Sequence, residues 1–164
     1  SFARAAALDP GDPRAPHERG LLLRERFADP VGAREWYERA LDRDPAYAPA
    51  LNDLGNLLWR AFDDPEGAQE QYDHAVAVAP DYALARYSRG TLRLDAFDDP
   101  EGARACFERA LDLDSGHADA HRKLGEALAR TGDHEEARAC FERALDCDPE
   151  NEAARLSLVA LSTA

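Results

Sequence analysis

Four glycines recur at one interval: Gly20, Gly55, Gly90 and Gly125 each lie 35 residues after the last. The prolines keep nearly the same beat. Pro10, Pro45 and Pro80 are 35 apart, Ser115 takes the next slot, and Pro149 follows after 34. A third block returns between them. It reads Gly-Ala-Arg-Glu-Trp-Tyr-Glu-Arg-Ala-Leu-Asp at 32–42, and Glu-Gly-Ala-Arg-Ala-Cys-Phe-Glu-Arg-Ala-Leu-Asp at 101–112. The copy at 135–146 differs from the latter only in Glu136 for Gly102. A fixed period of this size marks a repeat array, in which each unit buries its apolar faces against its neighbours instead of in one central core.

Residues 46–80 show what one unit encodes. Leu51, Leu54, Gly55 and Leu58 follow the three-to-four spacing of a helix face. Phe62-Asp63-Asp64-Pro65-Glu66 then stops one helix and starts another. Asp64 suits the N-cap, and Pro65 suits the first helical position, where no amide partner is needed. Ala68, Tyr72, Ala75 and Val76 form a second apolar face, and Ala79-Pro80-Asp81 breaks the chain again. Each unit is therefore expected to be two antiparallel helices. Gly55, Ala68 and Ala75 leave room where helices approach closely, and the ring of Tyr72 fills the space between them.

The set Gly20, Ala33, Tyr37, Ala40, Pro45 recurs as Gly55, Ala68, Tyr72, Ala75, Pro80. It returns as Gly90, Ala103, Phe107, Ala110, Ser115 and as Gly125, Ala137, Phe141, Ala144, Pro149, twenty positions with one departure, at Ser115. This spacing resembles the tetratricopeptide repeat (TPR). The resemblance implies an all-α, right-handed superhelical solenoid of antiparallel helix pairs. Three features depart from the family pattern. The first three units carry an extra residue in the mid-repeat turn, at Asp29-Pro30, Asp64-Pro65 and Asp99-Pro100, whereas Gly132, Asp133 and Glu136 suggest a capping box in the fourth. Arg19 and Arg89 replace the leucine before the glycine. Ser115-Gly116 replaces the closing proline, which is expected to loosen that junction.

The expected organisation is the second helix of a truncated preceding repeat at 1–12, then repeats at 13–47, 48–82, 83–117 and 118–151. Residues 152–164 follow as a capping helix or degenerate repeat, for ten helices in all. Phe2 to Pro10 aligns with Phe141 to Pro149, so the chain reads as a piece of a longer array.

A net charge of −13 opposes nucleic acid and anionic membrane as partners, since both call for a basic surface. Three cysteines make an odd count with no Cys-x-x-Cys. Cys140 and Cys147 lie about 10 Å apart along one helix, too far for a disulfide. Free thiols in a reducing compartment are expected. His117 and His121 have helix-face metal spacing, but two ligands without a third do not make a zinc site. No phosphate loop or nucleophile motif is present, and the acidic pairs fall at helix starts, where carboxylates cap. Neither an enzyme nor a cofactor is expected.

The family resemblance places ligands on the first helices of successive repeats, whose exposed turns line a concave groove. By position from each glycine, those residues are His17, Leu21 and Arg24, then Asn52, Asn56 and Trp59, then Tyr87, Thr91 and Leu94, then Arg122 and Glu126. Asn52, Asn56, Trp59, Tyr87, Thr91 and Arg122 are the expected peptide-binding set. The asparagine amides can grip a peptide backbone, and the aromatics supply contact area. A five-residue clamp for chaperone carboxyl ends is matched only by Asn56 and Lys123, and Asp119 has the wrong sign there. Arg86, Arg89 and Arg93 form a stripe at places that are normally apolar, a second candidate site, for an anion. The expected function is a non-enzymatic scaffold for a protein or peptide partner. The alternative is self-association into a homo-oligomer through exposed terminal helices.

Overall fold

The computed structural model describes residues 11–162. Among them are nine helices and no strand: α1 Arg14–Arg26, α2 Pro30–Arg43, α3 Ala48–Phe62, α4 Pro65–Val78, α5 Ala83–Asp95, α6 Pro100–Leu113, α7 Ala118–Thr131, α8 His134–Cys147 and α9 Glu152–Ser162. The expected helix within residues 1–12 lies almost wholly outside the described residues. The chain divides into two compact units, Ser1–Pro80 and Asp81–Ala164. In the first, α1 pairs with α2 and α3 with α4, and α2 packs on α3. In the second, α5 pairs with α6 and α7 with α8, α6 packs on α7, and α9 lies against α8 and the edge of α7.

Each hairpin closes on a ring. A Cβ added at Gly55 would stand 2.6 Å from the Tyr72 ring, and one at Gly90 would stand 2.7 Å from that of Phe107. Tyr37, Tyr72 and Phe107 are wholly buried, as are Ala33, Ala40, Ala68, Ala75, Ala103 and Ala110. The small residues let the second helix come close enough for its ring to lie on bare backbone of the first. Dispersion and apolar burial there are lost if either side changes size.

The turns inside the hairpins follow the chemistry expected of Asp-Pro. Asp29, Asp64 and Asp99 each accept the backbone N–H three residues on, from Gly32 at 2.9 Å, Gly67 at 2.9 Å and Gly102 at 2.8 Å. The residue just before each capping aspartate takes the left-handed backbone conformation: φ is +49° at Ala28, +54° at Asp63 and +50° at Asp98. In the shorter fourth turn Gly132 takes that role at φ +93°.

One expectation fails locally, and at a second position the hydrogen bonds are kept. The capping box at Asp133 does not form, because its carboxylate accepts the Thr131 hydroxyl at 3.1 Å and Glu136 reaches Arg104 at 3.3 Å. Both side chains are drawn sideways, away from the amides of α8. The junction at Ser115-Gly116 loses no hydrogen bond for want of proline. The Gly116 amide donates to Asp114 at 3.2 Å, as Ala46 does to Asp44 at 3.0 Å beside Pro45. His121 adds a bond from Nε2–H to the Ser115 carbonyl at 3.0 Å. The departure at Arg19 also has a partner, since its guanidinium lies 4.3 Å from the centre of the Trp36 ring.

Ala75→Leu should overpack the α3–α4 contact and cost about 1–3 kcal/mol, read as a lowered thermal midpoint. An unchanged midpoint would contradict close packing there. Ala28→Gly is expected to act the other way. Alanine in the left-handed region is strained by about 1–2 kcal/mol, so the variant should gain several tenths of a kcal/mol or more in urea titration, after glycine's extra unfolded-state entropy is offset.

Candidate functional site

In the first unit the face shared by α1 and α3 is organised by a residue the repeat pattern gives no reason to notice, Asp53. One carboxylate oxygen accepts His17 Nε2–H at 2.8 Å, and the other faces Arg24 at 3.4 Å. His17 is buried, with its ring 5.7 Å from Tyr37 and edge-on to Tyr47 at 5.4 Å. The expected groove residue His17 is thus packed and hydrogen-bonded to the carboxylate that also faces Arg24. The partners of Asp53 come from another helix, so no spacing within its own repeat marks it.

Asn56 is half-buried and accepts the Tyr72 hydroxyl at 2.7 Å. Leu21 holds the same place relative to Tyr37, and the Tyr37 hydroxyl is buried with no hydrogen-bond partner among the described residues. Burial pushes the Tyr37 phenol up to about 12, and it raises Tyr72 in the same direction. Trp59 is half-buried, with the Arg60 guanidinium 4.4 Å from its ring centre. Asn52 departs from expectation. It is 1% exposed, with neither amide atom hydrogen-bonded among the described residues, so it offers no open side chain. Between α1 and α3, Arg24, Ala28, Pro30, Asn56, Leu57, Arg60 and Ala61 line a cleft of about 500 Å³.

In the second unit Tyr87 is half-buried, its ring 4.6 Å from that of His117 and 6.0 Å from Phe107. Thr91 is buried and donates its hydroxyl to the Tyr87 carbonyl at 3.0 Å, so its one polar group is spent on its own helix. Leu94 is wholly buried, and the expectation that Thr91 and Leu94 face a ligand does not hold. Arg122 pairs with Asp119 at 3.2 Å and with Glu126. Lys123 pairs with Asp95 at 2.9 Å and with Glu126 at 3.0 Å. The cations on α7 are therefore already matched by carboxylates.

The remaining candidates have structural roles. Arg93 reaches Asp99 at 2.8 Å, the same carboxylate that caps α6, which removes it from a ready anion site. Arg86 and Arg89 are half-buried on α5. His117 caps α7, its Nδ1 accepting the Ala120 N–H at 3.2 Å, and no cluster of three metal-ligating side chains occurs among the described residues. None of the three cysteines is in a disulfide, and burial raises the Cys140 thiol. Among the described residues, no helix is long and apolar enough to cross a membrane.

The two tyrosines make a paired test. Tyr72→Phe should cost about 1 kcal/mol through the lost bond to Asn56, whereas Tyr37→Phe should be neutral or stabilising. Equal losses in chemical denaturation would contradict the assignment. Alkaline pH gives a second check. The folded chain holds the Tyr37 proton up to about 12, while an unfolded tyrosine releases it near about 10. The stability tied to that proton is complete below about pH 10 and falls as pH rises towards the folded value. Tyr37→Phe should flatten the decline.

Residues 92–152 match the family model described as tetratricopeptide repeat. Solved structures share the fold. The pilF protein of Pseudomonas aeruginosa is 21% identical with a TM-score of 0.85, over 99% of this chain and 72% of that one. A thermophilic TPR protein of Thermus thermophilus is 22% identical at 0.77, over 99% and 88%. The first TPR of Spaghetti (RPAP3), bound to the HSP90 peptide SRMEEVD, is 22% identical at 0.67, over 71% and 90%. At such identities the likeness is one of fold. A search of curated proteins gave no sequence match.

Proposed function

We propose, from the match of residues 92–152 to the tetratricopeptide repeat model and from the fold shared with solved TPR structures, that this chain is a non-enzymatic scaffold that holds a peptide or partner helix against the first helices of its repeats. The observation that carries the reading is the face of α3. There Asn56 and Trp59 stand half-buried beside a cleft of about 500 Å³, a size suited to a few side chains of a ligand. A neighbour of the same fold is described with a bound peptide, which supports a peptide as the occupant. The acidic residues that could have served as general acids argue against catalysis. Asp29, Asp64 and Asp99 are occupied in capping helices. Tyr87 and Arg122 remain candidates for the same role on the second unit, while Asn52 and Thr91 contribute through packing.

Trp59→Ala should weaken partner binding by roughly tenfold or more, as loss of an aromatic anchor does, while leaving helicity intact. Asn56→Ala alone would orphan the Tyr72 hydroxyl, so it is best made together with Tyr72→Phe. Binding that survives both changes, measured by calorimetry with a captured partner, would remove this face as the site.

A second reading, self-association, rests on α9. Leu156 and Val159 are 63% and 60% exposed there, on a helix otherwise packed against α7 and α8. Sedimentation over a range of concentrations separates the two readings. A dimer that dissociates in Val159→Glu favours assembly, and a monomer throughout favours the scaffold.

A further inference from the structure

The cleft on the first unit has an internal control. Residues of the first two repeats correspond to those of the third and fourth at an offset of 70, as Gly20 does to Gly90 and Gly55 to Gly125. In the second unit the corresponding place is closed electrostatically. Arg130 donates there to the Leu94 carbonyl at 2.8 Å and to the Asp98 carboxylate at 3.1 Å. Asp98 is the left-handed residue of its turn, and Ala28 is its counterpart in the first unit. Arg60 corresponds to Arg130 and so lacks that carboxylate. Among the described residues it makes no ion pair, and its guanidinium rests over Trp59.

Two further exchanges run the same way. Arg24 stands where the second unit has Leu94, and Asn56 stands where it has Glu126. Each of the three differences removes a carboxylate or adds a guanidinium at the cleft wall, while behind it Asp53 and Asn52 stand where the second unit has Lys123 and Arg122, so the contrast lies in which groups are paired and not in net charge. The first-unit cleft is thus lined by two guanidiniums and an amide, with no carboxylate among its lining residues, in a chain of net charge −13. Arg24 is held in place by Asp53 and Glu25, which use two of its donors and leave others. The Oδ1 of Asn56 is taken by Tyr72, so the Nδ2 donor is what it has left. Ala28, Pro30, Leu57 and Ala61 supply apolar walls.

We propose that this cleft is a carboxylate-binding subsite that selects an acidic residue flanked by an apolar one in the peptide partner. This rests on the scaffold reading and names the class of peptide it takes. Arg60 supplies the charge-assisted donor to the carboxylate, its charge being the one not met by an ion pair among the described residues; Arg24, already paired, adds a spare N–H, Asn56 a neutral donor, and the apolar walls take the adjoining side chain. The set is distinct from the chaperone clamp, with which it shares only Asn56.

The test titrates the full chain with the peptide acetyl-Leu-Glu-Glu-Leu-amide and its Gln-Gln analogue, followed by amide chemical shifts. The wild type should bind the acidic peptide at least about tenfold more tightly than the analogue. Ala28→Asp restores the second unit's carboxylate beside Arg60, in a backbone conformation that Asp63 and Asp98 already adopt, so the variant should fold. It should abolish most of that preference, as should Arg60→Gln. Equal binding of the two peptides, no binding of the acidic one, or an unchanged preference in Ala28→Asp would overturn the subsite. Peptide binding that ignores charge yet falls in Trp59→Ala would overturn the subsite alone and leave the scaffold reading standing.

Discussion

The contact of a second-helix ring with a first-helix glycine is the constraint on which the hairpins depend. It occurs four times, at Gly20–Tyr37, Gly55–Tyr72, Gly90–Phe107 and Gly125–Phe141, and an added Cβ would meet the ring at 2.6 or 2.7 Å in each. A ring on bare backbone sets the distance between the two helices. That distance is what makes alanine, and nothing larger, fit one turn before and one turn after the ring. It also sets where the far end of each ring emerges. A phenylalanine ends there in hydrocarbon, whereas a tyrosine carries a hydroxyl to the first-helix residue after the glycine. Asn56 meets it in one repeat, and Leu21 does not in another.

The turns are where units built on one plan become chemically different. A left-handed residue beside a capping aspartate is needed to reverse the chain, but its side chain is not constrained by that role. Asp98 uses the freedom to bind Arg130. Ala28 does not, and it leaves the mouth of the first-unit cleft without a carboxylate. A position tolerated for backbone reasons thereby decides local electrostatics. The −13 net charge says little about any particular cleft, because the carboxylates on α7 face neighbouring cations while Arg60 in the first unit rests over Trp59.

Much of this was legible in the sequence, because it depends on local chemistry repeated at a fixed interval. The helix pairs, the Asp-Pro starts and the burial of Ala68, Ala75, Ala103 and Ala110 follow from side-chain size and spacing. The repeat contacts that require them lie within one hairpin. Of the candidate site, the half-buried positions of Asn56 and Trp59 agree with their register on α3. The openness of Asn52 and Thr91 could not be read, because register says which face a residue occupies and not how much of that face is covered.

The sequence by itself determined the period, the helices and the glycine–ring pairs, since each is decided by the shape and backbone preference of residues within about thirty-five positions. Only the tertiary structure decided which polar groups find partners. Asp53 collects His17 and Arg24 from a different hairpin, and Glu136 goes to Arg104 instead of closing a capping box. The physical reason is that a long charged side chain satisfies itself with whichever opposite charge the packing brings within reach. That competition is settled between helices, where no periodicity in the chain records the outcome.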